Sequence, residues 1–271
     1  MTSIAALRAQ VRKADAAYRA GRPLMPDDAF DALIDELRSV APHAPELHAP
    51  GGTQPNTPAP SPVPMLSLFN ARPEDRAKPF PRQAVRGWLA TLPNSGIVVQ
   101  PKIDGVALAC HYDNGRLIAA HTRSGRCALA LAELVPSIPS TISQLCPTEV
   151  RGELWSADHK QATPAAALRR KVPNAEGLTF TAYSLTSGIP DDAESEFDTH
   201  HYLDRWGFDL ADSLLATQLD QIATLYLRWY ANDLFPQWPT DGIVLRAAYL
   251  ADQQQLGTST YAPHALLAIK R

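Results

Sequence analysis

The chain has 271 residues, 45% of them hydrophobic and 20% charged, with 25 Lys and Arg against 28 Asp and Glu, for a net charge of −3. That is long enough to bury a substantial core and too balanced for a disordered tail or a fibrous rod. It also excludes a protein that coats nucleic acid through a basic excess, so any nucleic-acid contact must be local.

Chain order starts with two helical patterns. Leu7, Val11 and Tyr18 recur at about helical spacing. After Gly21-Arg22-Pro23, the set Phe30, Leu33, Ile34 and Leu37 follows the i, i+3, i+4, i+7 rule. Pro26-Asp27-Asp28 is a credible helix start, because early carboxylates complement the N-terminal dipole. Residues 1–50 therefore read as a small helical hairpin. Eight of the 24 prolines fall between positions 42 and 64, beside Gly51-Gly52, so 51–64 reads as an extended connector.

Beyond it, residues 65–271 read as an α+β domain with antiparallel sheets. Val106, Leu108 and Cys110 alternate to one face and Asp113-Asn114-Gly115 offers a turn able to take positive φ. Leu117 and Ala119 alternate on the return. Further strand-like runs are Glu149 to Trp155, Leu178 to Leu185 and Gly242 to Arg246, and a helical stripe runs through Ile222, Leu225 and Trp229. Trp229 and Trp238 read as core or interface aromatics, and His200-His201 as lying near a helix or loop surface. Cys110, Cys127 and Cys146 form no C-x-x-C pair, and the histidines show no H-E-x-x-H spacing, so no zinc site is signalled. No apolar run is long enough to span a bilayer and no signal-peptide h-region opens the chain, so a cytoplasmic protein is the expectation.

The segment with most chemical content is Val98-Val99-Gln100-Pro101-Lys102-Ile103-Asp104-Gly105. On an extended chain Lys102 and Asp104 share a side, and Gly105 leaves room for a ligand or a turn. Alone, this pattern is more often a surface strand end with a solvated i, i+2 ion pair. It is followed, however, by Arg151-Gly152-Glu153, by Phe180-Thr181-Ala182-Tyr183, by Asp241-Gly242-Ile243-Val244-Leu245-Arg246 and by a late Lys270. In that order the motifs resemble the adenylation domain of bacterial NAD-dependent DNA ligases, a nucleotidyltransferase fold. Pro64-Met65-Leu66-Ser67-Leu68 and Gln255-Leu256-Gly257 are similar to signatures outside its active site. The wording Gln-Pro-Lys-Ile-Asp-Gly-Val-Ala is nearer the shorter branch of that family.

The resemblance implies that Lys102 is the nucleophile that becomes adenylylated with release of nicotinamide mononucleotide. AMP then passes to the 5′-phosphate of nicked double-stranded DNA, in repair or replication, with Mg²⁺ assisting. Arg123, Arg246 and Lys270 match its cations, which favour an unprotonated amine and neutralise phosphate charge. Asp104 belongs to the nucleophile motif. Glu153 matches the carboxylate that contacts the ribose and organises the metal, Tyr183 the ring that stacks on adenine, and Asp241 the carboxylate of the next strand. Gln100 stands where the family has a glutamate that meets the base. The N-terminal hairpin resembles the part that binds the nicotinamide half, with Tyr18, Asp27, Phe30 and Asp31 on its binding positions. It departs from the pattern where Phe30 replaces a tyrosine and where Ala17-Tyr18 replaces a tyrosine-histidine pair. Arg126, Arg169 and Arg170, with Lys171, offer a local cationic track for DNA phosphates. NAD is the expected cofactor and ATP the weaker candidate; no zinc, no membrane and a monomer are expected.

Two alternatives stay open. One is a stand-alone adenylyltransferase, using NAD or ATP, that does not seal nicks. The other is a noncatalytic nucleotide or nucleic-acid binding module. Ligases of the resembled family continue into further DNA-clamping domains, so these 271 residues are expected to adenylylate themselves better than they ligate.

Overall fold

The structure is a computed structural model that describes residues 4–19, 24–25, 27–41, 44, 46, 65–73, 78–93, 96–157, 163–259 and 262–271. The connector at 51–64 and the side chains of Tyr18, Asp27 and Asp31 lie outside the described residues. The chain divides into two units, Met1–Ala59 and Pro60–Arg271.

In the first unit, α1 (Ile4–Arg19) and α2 (Asp27–Val40) form the helical pair. Leu7, Val11, Leu37 and Ala44 are its buried core, with Leu33 and Ile34 packed against them. Arg8 Nε donates to Glu46 Oε2 at 2.8 Å, and Arg12 pairs with the other oxygen. The Arg8 bond holds the Glu46 carboxyl down at about 2.

The second unit contains two sheets. The first has the order β1 (Phe69–Ala71), β9 (Leu266–Lys270), β8 (Thr240–Ala247), β2 (Ile97–Ile103), β7 (Leu214–Ala216). The second has the order β4 (Arg116–Thr122), β3 (Val106–Asp113), β5 (Thr148–Ser156), β6 (Leu178–Ser187). All pairs are antiparallel except β1 with β9, which is parallel and corrects the purely antiparallel expectation.

Period-two alternation gives each sheet one apolar face. On the first sheet Ile97, Val99, Ile243, Leu245, Leu267 and Ile269 pack onto Val85 of α3 (Arg82–Leu89) and onto Ile222, Tyr226 and Trp229 of α7 (Leu219–Tyr230). On the second, Leu108, Cys110, Val150, Leu154 and Phe180 pack with Leu131 of α4 (Leu129–Ala132) and with Leu203 of α6 (Glu196–Arg205). Two short helices complete the unit, α5 (Pro164–Ala167) and α8 (Leu250–Leu256).

The alternate positions carry the polar residues. Gln100 and Lys102 lie opposite Val244 and Gly242, so they share a face with Arg246, which lies opposite Val98. Glu149, Arg151 and Glu153 alternate in the same way on β5. The two polar faces meet where Arg246 Nη1 donates to Ser184 Oγ at 3.2 Å. Ile103, Trp155 and Ala211, with Tyr183 and Trp238, form a small apolar cluster beside them.

The hairpin turn forms as expected, with Asn114 at φ 47° and Gly115 at φ 73°. Its return strand differs. His111 pairs with Ala119 and Tyr112 with Leu117, which leaves Ile118 as a bulge and brings Leu117 and Ala120 to the core side, where Ala119 had been expected. His200 is another correction. It lies in α6 and is 6% exposed, because its ring is held by a polar network under the site; neighbouring His201 is exposed.

Candidate active site

β2 delivers Lys102 at its end, and the chain turns through Asp104 and Gly105 into β3. The Asp104 amide donates to Pro239 O at 2.8 Å. A Cβ on Gly105 would stand 2.3 Å from Leu154 O and 3.0 Å from Glu153 Cγ, so only glycine lets this turn nest against β5 beside Glu153.

Asp241 reaches Lys102 through a register shift. Lys102 pairs with Gly242 and Ile103 with Thr240, which leaves Asp241 as the extra residue of a bulge. Strict alternation would put Asp241 on the core side; the bulge re-aims it. Its Oδ1 stands 2.8 Å from Lys102 Nζ and its Oδ2 3.2 Å from Lys270 Nζ. One carboxylate thus spans the amines of two strands, and all three side chains are partly open to solvent.

Glu153 lies across from this group on β5. Burial lifts its carboxyl to about 8, and the charges of Asp104 and Asp241 push the same way, while Lys102 and Arg123 oppose them. Lys102, Asp104, Arg123, Glu153, Asp241 and Lys270 therefore form one electrostatic cluster. The exposed Arg123 donates through Nη1 to Ser67 Oγ at 3.2 Å. Ser67, from the Pro64–Leu68 motif, therefore borders the cluster.

Tyr183 is also a bulge residue, since Arg151 pairs with Ser184 and Gly152 with Ala182. Burial raises its hydroxyl above the usual range, and Glu153 adds to the shift. Gln100 is 2% exposed and its amide nitrogen donates to Ser213 Oγ at 3.1 Å. Arg246 lies deeper than the expected role at the amine implies. It is 5% exposed, and Nη1 reaches both Ser184 Oγ and Glu196 Oε1 at 3.2 Å. On its strand it is four residues from the partner of Lys102, about 13 Å along the sheet. Glu196 also accepts from Gln253 Nε2 at 2.8 Å.

Phe30 is half-buried in the first unit. Arg126 Nη1 donates to Leu168 O at 3.3 Å, which brings Arg126 beside the exposed Arg169 and Arg170. Among the described residues no cluster of three or more His, Cys, Asp or Glu side chains could hold a metal ion. Nor is any helix long and apolar enough to cross a membrane.

Sequence reasoning missed Glu196, His200 and Ser213. A signal for the first two was present in Ser195-Glu196-Phe197-Asp198. Ser195 Oγ accepts from the Asp198 amide at 3.3 Å and Asp198 Oδ2 from the Ser195 amide at 2.8 Å, a reciprocal cap that starts α6.

Comparisons with known proteins agree with the motifs. The model of the NAD-dependent DNA ligase adenylation domain matches residues 57–163. A DNA ligase of Chloroflexus aurantiacus (strain ATCC 29366 / DSM 635 / J-10-fl) is 30% identical over 97% of this chain and 44% of its own length. One of Roseiflexus sp. (strain RS-1) is 28% identical over 98% and 44%. One of Shouchella clausii (strain KSM-K16) is 26% identical over 93% and 43%. The chain spans less than half the length of these relatives. A solved ATP-dependent DNA ligase from bacteriophage T7, in complex with ATP, is 12% identical with a TM-score of 0.42, over 75% of this chain and 68% of its own. The resemblance to the NAD-dependent DNA ligase adenylation domain is thus found both by the family model and by curated DNA ligases.

Proposed function

We propose that this chain, similar to the adenylation domain of NAD-dependent DNA ligases, adenylylates itself on Lys102 from NAD and passes the AMP to the 5′-phosphate of nicked DNA. The observation that carries the reading is the Lys102–Asp241–Lys270 bridge set across from Glu153 and Arg123.

Lys102 Nζ attacks the α-phosphorus of NAD. A phosphorus–nitrogen bond forms, the bond to the bridging pyrophosphate oxygen breaks, and nicotinamide mononucleotide leaves. The amine's proton has an acceptor at hand in Asp241, 2.8 Å away. Arg123 and Lys270 oppose the charge that builds on the phosphate oxygens. In the second step a 5′-phosphate oxygen of DNA attacks the same phosphorus, the phosphorus–nitrogen bond breaks and Lys102 regains a proton. Tyr183 would stack on adenine and Gln100 would meet its edge. Arg126, Arg169 and Arg170 would hold DNA phosphates.

Mg²⁺ fits the donor set in one form only. Glu153 is an oxygen donor whose charged form burial disfavours and Lys102 and Arg123 offset only in part, and a divalent cation would favour that form. With no cluster of three such donors among the described residues, the ion would be held by Glu153 and the substrate phosphates. It would supply charge neutralisation at the transferring phosphoryl group.

The test is incubation with NAD or ATP labelled in the adenylate, followed by denaturing electrophoresis. Label from NAD that Lys102→Ala abolishes is expected. Label from ATP alone would favour the stand-alone adenylyltransferase, and label from neither would favour a binding module. A nicked duplex then tests transfer, read as appearance of 5′-adenylylated DNA.

A further inference from the structure

The polar face that carries Lys102 also holds a set of polar contacts around Gln100, with the Glu196 carboxylate at its edge, Oε2 standing 4.0 Å from His200 Nε2. Gln100 Nε2 stands 3.1 Å from Ser213 Oγ and 3.4 Å from His200 Nε2. Ser213 Oγ stands 3.1 Å from His200 Nδ1 and 3.3 Å from Ala211 O, and His200 Nε2 stands 3.4 Å from Tyr183 O. Both of these side-chain contacts of Gln100 are made by its nitrogen end.

The two ends of an amide are told apart by their partners, and here the partners decide. A neutral imidazole carries one N–H. If it is on Nε2, it donates to Tyr183 O; Nδ1 then takes the Ser213 hydroxyl proton, and Ser213 Oγ accepts from Gln100. If it is on Nδ1, it donates to Ser213, whose hydroxyl turns to Ala211 O, and both Ser213 Oγ and His200 Nε2 accept from Gln100. Both tautomers require the amide nitrogen to face Ser213. With the oxygen there instead, either tautomer gains one more contact in which lone pair faces lone pair, an expensive arrangement out of water. Only an imidazolium could support the reversed amide, and burial, joined by the charge of Arg246, lowers the pKa of His200 against the pull of the Glu196 carboxylate and the Tyr183 carbonyl.

We propose that Ser213 and His200 act as positioning residues that lock the Gln100 amide with its nitrogen inward and its oxygen toward the nucleotide face, so that the site selects a 6-aminopurine over a 6-oxopurine. A carbonyl oxygen accepts from an exocyclic amine and meets a 6-oxo group with lone pair against lone pair. The inference rests on the reading that this face takes adenylate, and it accounts for how an amide works in a position that the resembled ligases fill with a carboxylate. A carboxylate has an acceptor at both ends and needs no lock.

The experiment compares the equilibrium binding of AMP and IMP to the full chain by calorimetry, with self-labelling by NAD measured in parallel. Wild type is expected to favour AMP by about tenfold or more. Ser213→Ala should cut the preference to within about threefold, since the freed amide can turn, while the thermal midpoint stays near that of wild type. His200→Phe, which strips Ser213 of its ring partner, should do the same and is a second route to the answer. The decisive arm is Gln100→Glu, in which Ser213→Ala should cause no further loss of selectivity; a purely structural role for Ser213 would persist in that background. An unchanged AMP preference in Ser213→Ala, or an equal loss in the Gln100→Glu background, overturns the proposal. Labelling by NAD without AMP selectivity would sink the lock and spare the reaction. AMP selectivity governed by Ser213 without labelling would do the reverse.

Discussion

Arg246 and Glu196 form a buried ion pair: Nη1 stands 3.2 Å from Oε1, with the residues 5% and 2% exposed. A guanidinium so placed is neutralised by a carboxylate from α6 and also donates to the hydroxyl of Ser184. It ties the helix and the second sheet to the first sheet.

Removing one partner leaves a buried charge without compensation, which costs about 3–5 kcal/mol. Glu196→Ala should therefore lower the urea midpoint strongly. A loss below about 1 kcal/mol would show that water reaches the pair and that Arg246 is available to a ligand.

Glu153 sets a pH dependence of stability. Its folded value of about 8 lies above the 4.5 of an ordinary glutamate. The folded state therefore holds this proton more tightly than the unfolded chain does. That stabilisation is complete below about 4.5 and is lost as pH rises through about 8. Glu153→Gln removes the dependence, so its thermal midpoint relative to wild type should climb between pH 5 and pH 8.5. A difference that stays flat across that range contradicts the burial of a proton-binding carboxylate. Labelling should fall with the same substitution.

Gly242 has no room for a side chain. A Cβ there would stand 2.2 Å from Ile269 O on the neighbouring strand, so Gly242→Ala must push β8 and β9 apart. The expected cost is about 1–3 kcal/mol by chemical denaturation. Because Asp241 and Lys270 flank this contact, label on Lys102 should drop as well. Full stability with normal labelling would mean that the strands adjust freely.

The cationic track is testable apart from the chemistry. If Arg169 and Arg170 each neutralise one phosphate, Arg169→Ala with Arg170→Ala should weaken duplex binding and reduce the slope of log affinity against log salt by about 2. Label from NAD should be unaffected, and an unchanged slope removes these residues from the DNA contact.

The helical pair, β3 and β4 with their Asn-Gly turn, and the segments that became β5, β6 and β8 were visible in periodicity, because each buries one face against a core. The bulges were not. Ile118, Tyr183 and Asp241 each break the alternation by one residue, and such a slip is set by what packs above and below a strand rather than by the residues in it. Motif order did bring out Lys102, Glu153, Asp241 and Lys270, which the fold gathers into one cluster. What sequence did not disclose was that Arg246 already has a partner in Glu196, or that His200 faces inward. Both depend on α6, whose apolar periodicity is weak and whose start is marked mainly by the Ser195–Asp198 cap.

β9 has one further implication. It lies between β1 and β8, so residues 266–270 separate strands that begin at 69 and 240. During synthesis β1 has no partner among the described strands of its sheet until nearly two hundred more residues have emerged. Closure of the sheet that carries Lys102 therefore waits on the segment bearing Lys270, so its assembly rests on a contact of very long sequence separation rather than on local pairing.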